Sequence, residues 1–491
     1  MTIPACFATL LSLCTGLVLV LVCWPDRPSI KADFLLKFFL APGVGCGVSS
    51  LLFFLCLLTH TYVRHLALIE VFLLACLIAL LCFSVAATNW PVSMAPSSEP
   101  PIEPSLDRKI RRASLLGFVA AFAVSLYASL SLLLRGPHGE WDAFAIWNLR
   151  ARFLFRAGDQ WKDAFSRLIP WSHTDYPLLV PGSVARLWEY SGHDSVVAPA
   201  LLALIFTYAT VGLAVSSVAA LRTRSQGFLA GLVLVATPYF VQLGASEYAD
   251  VPLGFFYLAT LVLLCMQDRR LQSPSRLLLL AGITAGFAAW TKNEGLLFLV
   301  SLLFVHAAVM VYLRGGTTYI RQLLPFAAGF VPILIVVVFF KHHFGGPSDL
   351  FSAPRSMAHQ LLDVHRYFQV CRALLRQVFD FGGWVITPVA VLAFYFLTLG
   401  GDINPKDKAY VLISVLALFM TLVGYCVVYV AGPNDIQWWL SSSLNRLLIQ
   451  LWPSAVFLFF LVVRTPEQAI SVGGSRSSVQ RAAHALGAEV R

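Results

Sequence analysis

VVAPALLALIFTYATVGLAVSSVAA, residues 196–220, runs for twenty-five positions without a charge. About 20 apolar residues in a helix cross the hydrocarbon core of a bilayer, so this stretch reads as a membrane span. Working outward, runs of the same kind follow at 227–244, 251–267, 277–290, 295–313, 322–340, 380–399, 410–430 and 446–463. Before it lie 5–24, 35–58, 66–87 and 113–134. Together they take up most of the 491 residues, of which 58% are hydrophobic and 12% charged, with a mean hydropathy of +0.76. A soluble domain carries about 25% charged residues. These values exclude a soluble enzyme, a disordered chain and a nucleic-acid binder. The predicted fold is an all-α polytopic membrane protein of about 13 transmembrane helices, with the lipid bilayer as its first partner.

The loops set the expected orientation. Basic residues occupy the short connections 25–34 (Arg27, Lys31), 88–112 (Arg108, Lys109, Arg111, Arg112), 221–226 (Arg222, Arg224), 268–276 (Arg269, Arg270, Arg276), 314–321 (Arg314, Arg321) and 400–409 (Lys406, Lys408), and Arg464 opens the tail. With thirteen spans all of these fall on one side. The positive-inside rule makes that side cytoplasmic, which puts the N-terminus outside and the C-terminus inside. The net charge of +10 has this as its first explanation, with a phosphate-bearing substrate as the second. The N-terminus lacks the basic region of a signal peptide. Seven of the ten cysteines lie within the first 82 residues, in or beside apolar runs, and read as small hydrophobes.

Five prolines between 91 and 104 make 88–112 a candidate cytoplasmic linker. It divides a three-span unit (1–87) from the main transmembrane body (113–463), and 464–491 form a cytoplasmic tail. Two outer loops are long. Residues 135–195 mix acids and bases with five tryptophans, and 144–156 has the pattern of a short amphipathic helix at the membrane interface. Residues 341–379 carry Lys341, Arg355, Arg366, Arg372 and Arg376 against Asp349 and Asp363, a positive excess on the side where the rule does not place it.

Polar chemistry collects at the outer ends of the spans. Glu140, Trp141 and Asp142 follow the fourth span; a carboxylate there has the chemistry of a general base or belongs to a solvated aromatic belt. Glu247, Tyr248 and Asp250 precede Pro252. The two acids share a face if the turn is helical, and either orient a sugar, hold a divalent cation through oxygen, or start a helix. Lys292 and Glu294 sit in a very short connection, pairing with a lipid phosphate or with each other. Arg446 opens the last span as a bidentate phosphate ligand or a snorkelling end. Asp175 and Tyr176 precede Pro177 in a rigid turn. No histidine spacing supports a metal site, and no cofactor is implied with certainty.

These segments resemble the membrane glycosyltransferases of the GT-C superfamily, among them the protein O-mannosyltransferases, the lipid A aminoarabinose transferase and the rhizobial lipopolysaccharide-core transferases. The resemblance rests on Trp141-Asp142-Ala143-Phe144-Ala145-Ile146-Trp147, Asp175-Tyr176-Pro177-Leu178-Leu179-Val180-Pro181, Tyr248-Ala249-Asp250-Val251-Pro252-Leu253, Thr291-Lys292-Asn293-Glu294-Gly295 and Asn434-Asp435 with Arg446. It covers about 140–453; the first three spans have no counterpart in it. It implies a polyprenyl-phosphate sugar donor on the outer face of the bacterial inner membrane, an acceptor that is a glycolipid, lipopolysaccharide or protein, and inversion at the sugar. By analogy Asp142 is the base, with Glu140 beside it leaving open which acid acts. Glu247 or Asp250 orients the donor sugar or a divalent metal. Lys292, Arg446 and the bases of 341–379 stabilise the leaving phosphate.

Two other classes compete. A transporter or lipid flippase predicts charges near mid-membrane, whereas here they gather at span ends. An O-antigen ligase or polymerase uses outer arginines without needing a carboxylate base.

Overall fold

The computed structural model describes residues 2–24, 31–59, 63–87, 105–267, 274–348, 354–384, 386–403 and 408–469. Among them the regular structure is helical, apart from one isolated bridge between Gly401 and Val463. Three helices come first: α1 (Ile3–Cys23), α2 (Lys31–Leu58) and α3 (Val63–Ala87). After α4 (Ser105–Arg135) comes a polar stretch with a π-helical turn at Ala143–Trp147, α5 (Asn148–Arg156) and α6 (Leu179–Ser191). Then follow α7 (Val197–Leu221), α8 (Arg224–Val235), α9 (Pro238–Ala245), α10 (Asp250–Gln267), α11 (Pro274–Thr291), α12 (Asn293–Arg314) and α13 (Gly316–His343). The chain closes with α14 (Pro354–Leu362), α15 (Val364–Asp380), α16 (Pro388–Leu399), α17 (Lys408–Ala431) and α18 (Ile436–Val462).

Ten helices are long and apolar enough to cross a bilayer, or up to twelve if each of two bent pairs is one span. Each apolar run read from the sequence falls in a helix or a bent pair, and the class is all-α and membrane-embedded. By length alone ten to twelve of the expected thirteen crossings qualify, and Ser275–Thr291 is a shorter apolar helix beside them. The breaks have local causes. Pro238 opens α9 and cannot continue the ladder of α8, giving a 67° bend. Between α15 and α16, Gly382 and Gly383 adopt φ of 86° and 75°, Pro388 starts the next helix, and the bend is 93°. Helix α4 begins at Ser105, so Arg108 to Arg112 form its first turns. Of the expected linker, 88–104 lies outside the described residues, as does the tail from 470.

Helix α10 is the axis: all eighteen of its residues are buried, against α7, α11 and α18 above all. By contrast α3 and α4 have only 11% of their apolar windows buried, which is the surface a bilayer solvates. The first three helices share this core. A Cβ on Gly16 would lie 2.0 Å from the Ala41 carbonyl and one on Gly45 1.9 Å from that of Ser12, so α1 and α2 approach as closely as small residues allow. Ser50 of α2 donates to the Leu178 carbonyl (3.1 Å) and accepts from Trp290 Nε1 (3.2 Å). Arg186 of α6 binds both oxygens of Glu70 in α3 at 2.6 Å and the Ala8 carbonyl of α1 at 3.1 Å.

Candidate functional site

The turn between α9 and α10 decides where two acids point. Glu247 takes a left-handed φ of 61°, so the turn is not helical and Glu247 and Asp250 do not share a face. Asp250 opens α10 with no exposed surface. An unpartnered carboxylate there would be costly. It is surrounded by donors instead: Oδ1 accepts from Lys292 Nζ (3.0 Å) and Gln450 Nε2 (2.6 Å), and Oδ2 from Arg446 Nη2 (3.0 Å) and Nε (3.3 Å).

Each partner is held by the fold. Lys292 lies in the α11–α12 connection, kept tight by Gly295, where a Cβ would meet the Ala288 carbonyl at 1.9 Å. It also pairs with Glu294 Oε1 (2.9 Å) and lies 5.5 Å from the Tyr176 ring centre. Arg446 and Gln450 are one turn apart on α18 and so share a face. Arg446 reaches past Asp250 to Asp142 Oδ2 (2.6 Å), with its guanidinium 4.5 Å from the Tyr248 ring. The Asp142 amide donates to the Tyr248 hydroxyl (3.3 Å). Glu294, Lys292, Asp250, Arg446 and Asp142 thus form one chain of alternating charge. It is closed at Asp250, and its two ends, Asp142 and Glu294, are 19% and 16% exposed. Arg446 Nη1 has no hydrogen-bond partner among the described residues.

Uncharged groups extend this chain into the bundle. Tyr425 donates to Gln450 Oε1 (2.7 Å), its hydroxyl lies 3.1 Å from that of Tyr257, and Tyr257 donates to the Glu294 carbonyl (2.7 Å). To one side, Asp175 Oδ2 accepts from Asn293 Nδ2 (2.6 Å), while Lys341 donates to Asn293 Oδ1 (2.6 Å) and the Asp175 carbonyl (2.9 Å). Tyr176 stacks on Trp147 with ring centres 5.7 Å apart. Arg150, fully buried, donates to the carbonyls of Ser172, His173 and Tyr176. The segment 144–156 is therefore helical but turns Asn148 and Arg150 inward, where an interfacial helix would turn them to water.

Glu247 faces a separate buried corner. Its Oε2 accepts from Asn148 Nδ2 (2.8 Å), while its Oε1 and Asn148 Oδ1 have no partner among the described residues. Burial pushes the Glu247 carboxyl up to about 7, against the pull of the Asn148 hydrogen bond. A Cβ on Gly139, at φ 71°, would lie 3.0 Å from that carboxylate, so the corner closes only with glycine there.

Of the residues singled out in the sequence, the structure joins Asp142, Tyr248, Asp250, Lys292, Glu294 and Arg446 directly and sets Asp175 and Tyr176 beside them. Glu247 stands apart. Trp141 is 70% exposed, and the Glu140 carboxylate makes no bond among the described residues. Lys292 lies beneath the rim with two carboxylate partners rather than at it. Sequence reasoning missed Gln450, Tyr257, Tyr425, Asn148 and Arg150. Only Gln450 left a trace, as an amide one turn after Arg446 in an apolar run. Among the described residues no group of three or more His, Cys, Asp or Glu is placed to hold a metal ion. Compared with protein-family models, curated proteins and solved structures, the chain matches none, so the site is read from its own geometry.

Proposed function

We propose that the protein is a membrane glycosyltransferase that moves a sugar from a polyprenyl-phosphate donor to a glycolipid, lipopolysaccharide or protein acceptor on the outer face of the inner membrane. The observation that carries this reading is the ion-pair chain itself. Segments from 142 to 446 converge on one end of the bundle, and the Asp142 end of the chain offers a carboxylate beside a guanidinium edge that has no partner among the described residues.

In this reading Asp142 accepts the proton of the acceptor hydroxyl or amine as its oxygen or nitrogen attacks the anomeric carbon. The bond from that carbon to the phosphate oxygen breaks, and the lipid phosphate leaves with the electron pair. Arg446 meets the negative charge that develops on it with Nη1, which is stabilisation where the transition state needs it. Asp250 and Lys292 act from below: they fix the guanidinium plane of Arg446 and, through Glu294 and Asn293, the walls of the site. The orientation that goes with this reaction is thirteen crossings with the N-terminus outside and the C-terminus cytoplasmic. A transporter reading is less well supported, because the charges of this chain lie at one end of the bundle and the groups that carry it further in, Gln450, Tyr425 and Tyr257, are uncharged.

The test is transfer from radiolabelled polyprenyl-phosphate sugars to an envelope acceptor fraction in proteoliposomes, with wild type beside Asp142→Asn and Asp250→Asn. Transfer by wild type that Asp142→Asn abolishes in a folded protein supports the enzyme and its base. Full activity in Asp142→Asn would sink the mechanism and move the reading to a ligase that works without a carboxylate base.

A further inference from the structure

Helix α15 has three sides. On a helix of 3.6 residues per turn, Val370, Ala373 and Leu374 face α17 and α18. A second side carries Tyr367, Phe368, Leu375, Val378 and Phe379, all exposed, with Phe368 at 65% and Phe379 at 76%. A third carries Arg372 and Arg376, also exposed and without ion pair or hydrogen bond among the described residues. An apolar stripe next to a basic one, with the remaining side packed on protein, is the pattern of an amphipathic helix that meets lipid at a bilayer surface.

Two further observations fix where that surface is. Arg366, in the first turn of α15, donates to the carbonyls of Tyr429, Val430 and Gly432. It thereby closes the end of the spanning helix α17, at the same end of the bundle as the charge chain. The other end of α15 leads into Phe381, whose ring centre is 5.1 Å from that of Trp452, about 24 Å along α18 from its start. Helix α16 then turns by 93°. Its twelve residues are about 18 Å long, too short for the ~30 Å core. The tilt of α15 supplies the rest of the crossing.

From this geometry we propose that α15 lies obliquely in the leaflet on the side of the site. Its apolar stripe rests among the acyl chains, and Arg372 and Arg376 bind the phosphates of anionic phospholipids. This goes beyond the glycosyl-transfer reading and does not rest on it. Charge complementarity favours the lipid surface over a protein partner: Asp380, one turn after Arg376, forms no ion pair with it among the described residues, and the stripe next to the basic pair is apolar.

Cys371 lies on the apolar stripe and is exposed, which supplies the probe. The full chain, with Cys6, Cys14, Cys76, Cys82 and Cys426 replaced by alanine, is placed singly in nanodiscs of phosphatidylcholine with phosphatidylglycerol and labelled with a nitroxide at Cys371. A second protein carries the label through Arg372→Cys with Cys371→Ala. The expected result is that oxygen relaxes the Cys371 label more than a water-soluble nickel chelate does, at a depth of about 5–10 Å, with the order reversed at position 372. Equal access of the chelate to both labels overturns the proposal. So does shielding of the Cys371 label from both reagents, which would mean that a protein covers the helix. Arg372→Gln with Arg376→Gln should make the Cys371 label shallower in discs with phosphatidylglycerol and leave it unchanged in phosphatidylcholine alone. An equal change in both lipids overturns the assignment to anionic headgroups.

Discussion

Arg186 and Arg446 are both guanidiniums inside a helix bundle, but their surroundings differ. Arg186 meets one carboxylate, Glu70, with two parallel hydrogen bonds of 2.6 Å, and Tyr190 donates to the same carboxylate at 2.6 Å. Both side chains are 2% exposed. That assembly is saturated and closed, and it ties α1, α3 and α6 together. Arg446 is divided between two carboxylates, keeps a donor edge with no partner among the described residues, and belongs to a chain of three acids and two bases that ends on Asp142. A pair that only holds helices has nothing left over. The Arg446 chain leaves charge unbalanced and an end partly exposed, as the proposed site requires.

The largest effect that tests this contrast is on transfer. Asp142→Asn should lower the rate roughly 10²- to 10⁴-fold, the usual worth of a general base, while the thermal unfolding midpoint in detergent stays near wild type. A large fall in the midpoint instead would make Asp142 a structural partner of Arg446 and erase the distinction. The closed pair should behave in the opposite way. Arg186→Met leaves the Glu70 carboxylate buried and unpaired, at about 3–5 kcal/mol, with activity per folded molecule retained. Adding Glu70→Leu should return most of that stability, as denaturation of the double variant would show.

Smaller effects sharpen the comparison. Gln450→Leu removes a 2.6 Å bond to the Asp250 carboxylate and should cost about 1.5–3 kcal/mol, read as a lower unfolding midpoint and a reduced transfer rate together. Glu247 gives a pH signature. Burial raises its carboxyl to about 7, above the ordinary value of about 4.3, so the folded protein holds a proton that the unfolded chain has lost between those values. Stability from this group is full below about pH 4 and is lost as pH rises through about 7. Glu247→Gln stays neutral throughout. It should match wild type near pH 4 and exceed it by a margin that grows up to about pH 7 and then levels off. A gap that does not change with pH would show that Glu247 is ionised in the fold.

The helices were legible because each apolar run is long and the chain between runs is polar. What was lost lies at their edges. The run at 446–463 hid the start of α18 at Ile436, because Gln437, Ser441 to Ser443 and Asn445 interrupt its apolarity. The break between α15 and α16 needs left-handed glycines that look, in a row of letters, like part of an apolar segment. Charges in an apolar chain stand out, so Asp142, Asp250, Lys292 and Arg446 could be found one by one. Their pairing could not, since it depends on α10 lying against α18, and residues 250 and 446 meet only through that packing. Tyr257 and Tyr425 carry no charge, and their hydroxyls read as ordinary aromatic content. Helical periodicity alone turns Arg150 to water, because it does not reveal the three carbonyls that hold it.

The enclosure of α10 bears on biogenesis. Its apolar window has a mean hydropathy of 1.6, against 2.9 for the peripheral α3, so it is among the weaker signals for release into lipid. It also enters with Asp250 at its head, and the cations that neutralise this carboxylate are made 42 and 196 residues later. Early in synthesis α10 therefore has every reason to stay beside the translocation machinery, and Lys292 gives it a first counter-charge as the hairpin with α11 forms. The second arrives only with the last long helix. A chain that stops before α18 has an unfinished axis as well as an unfinished site.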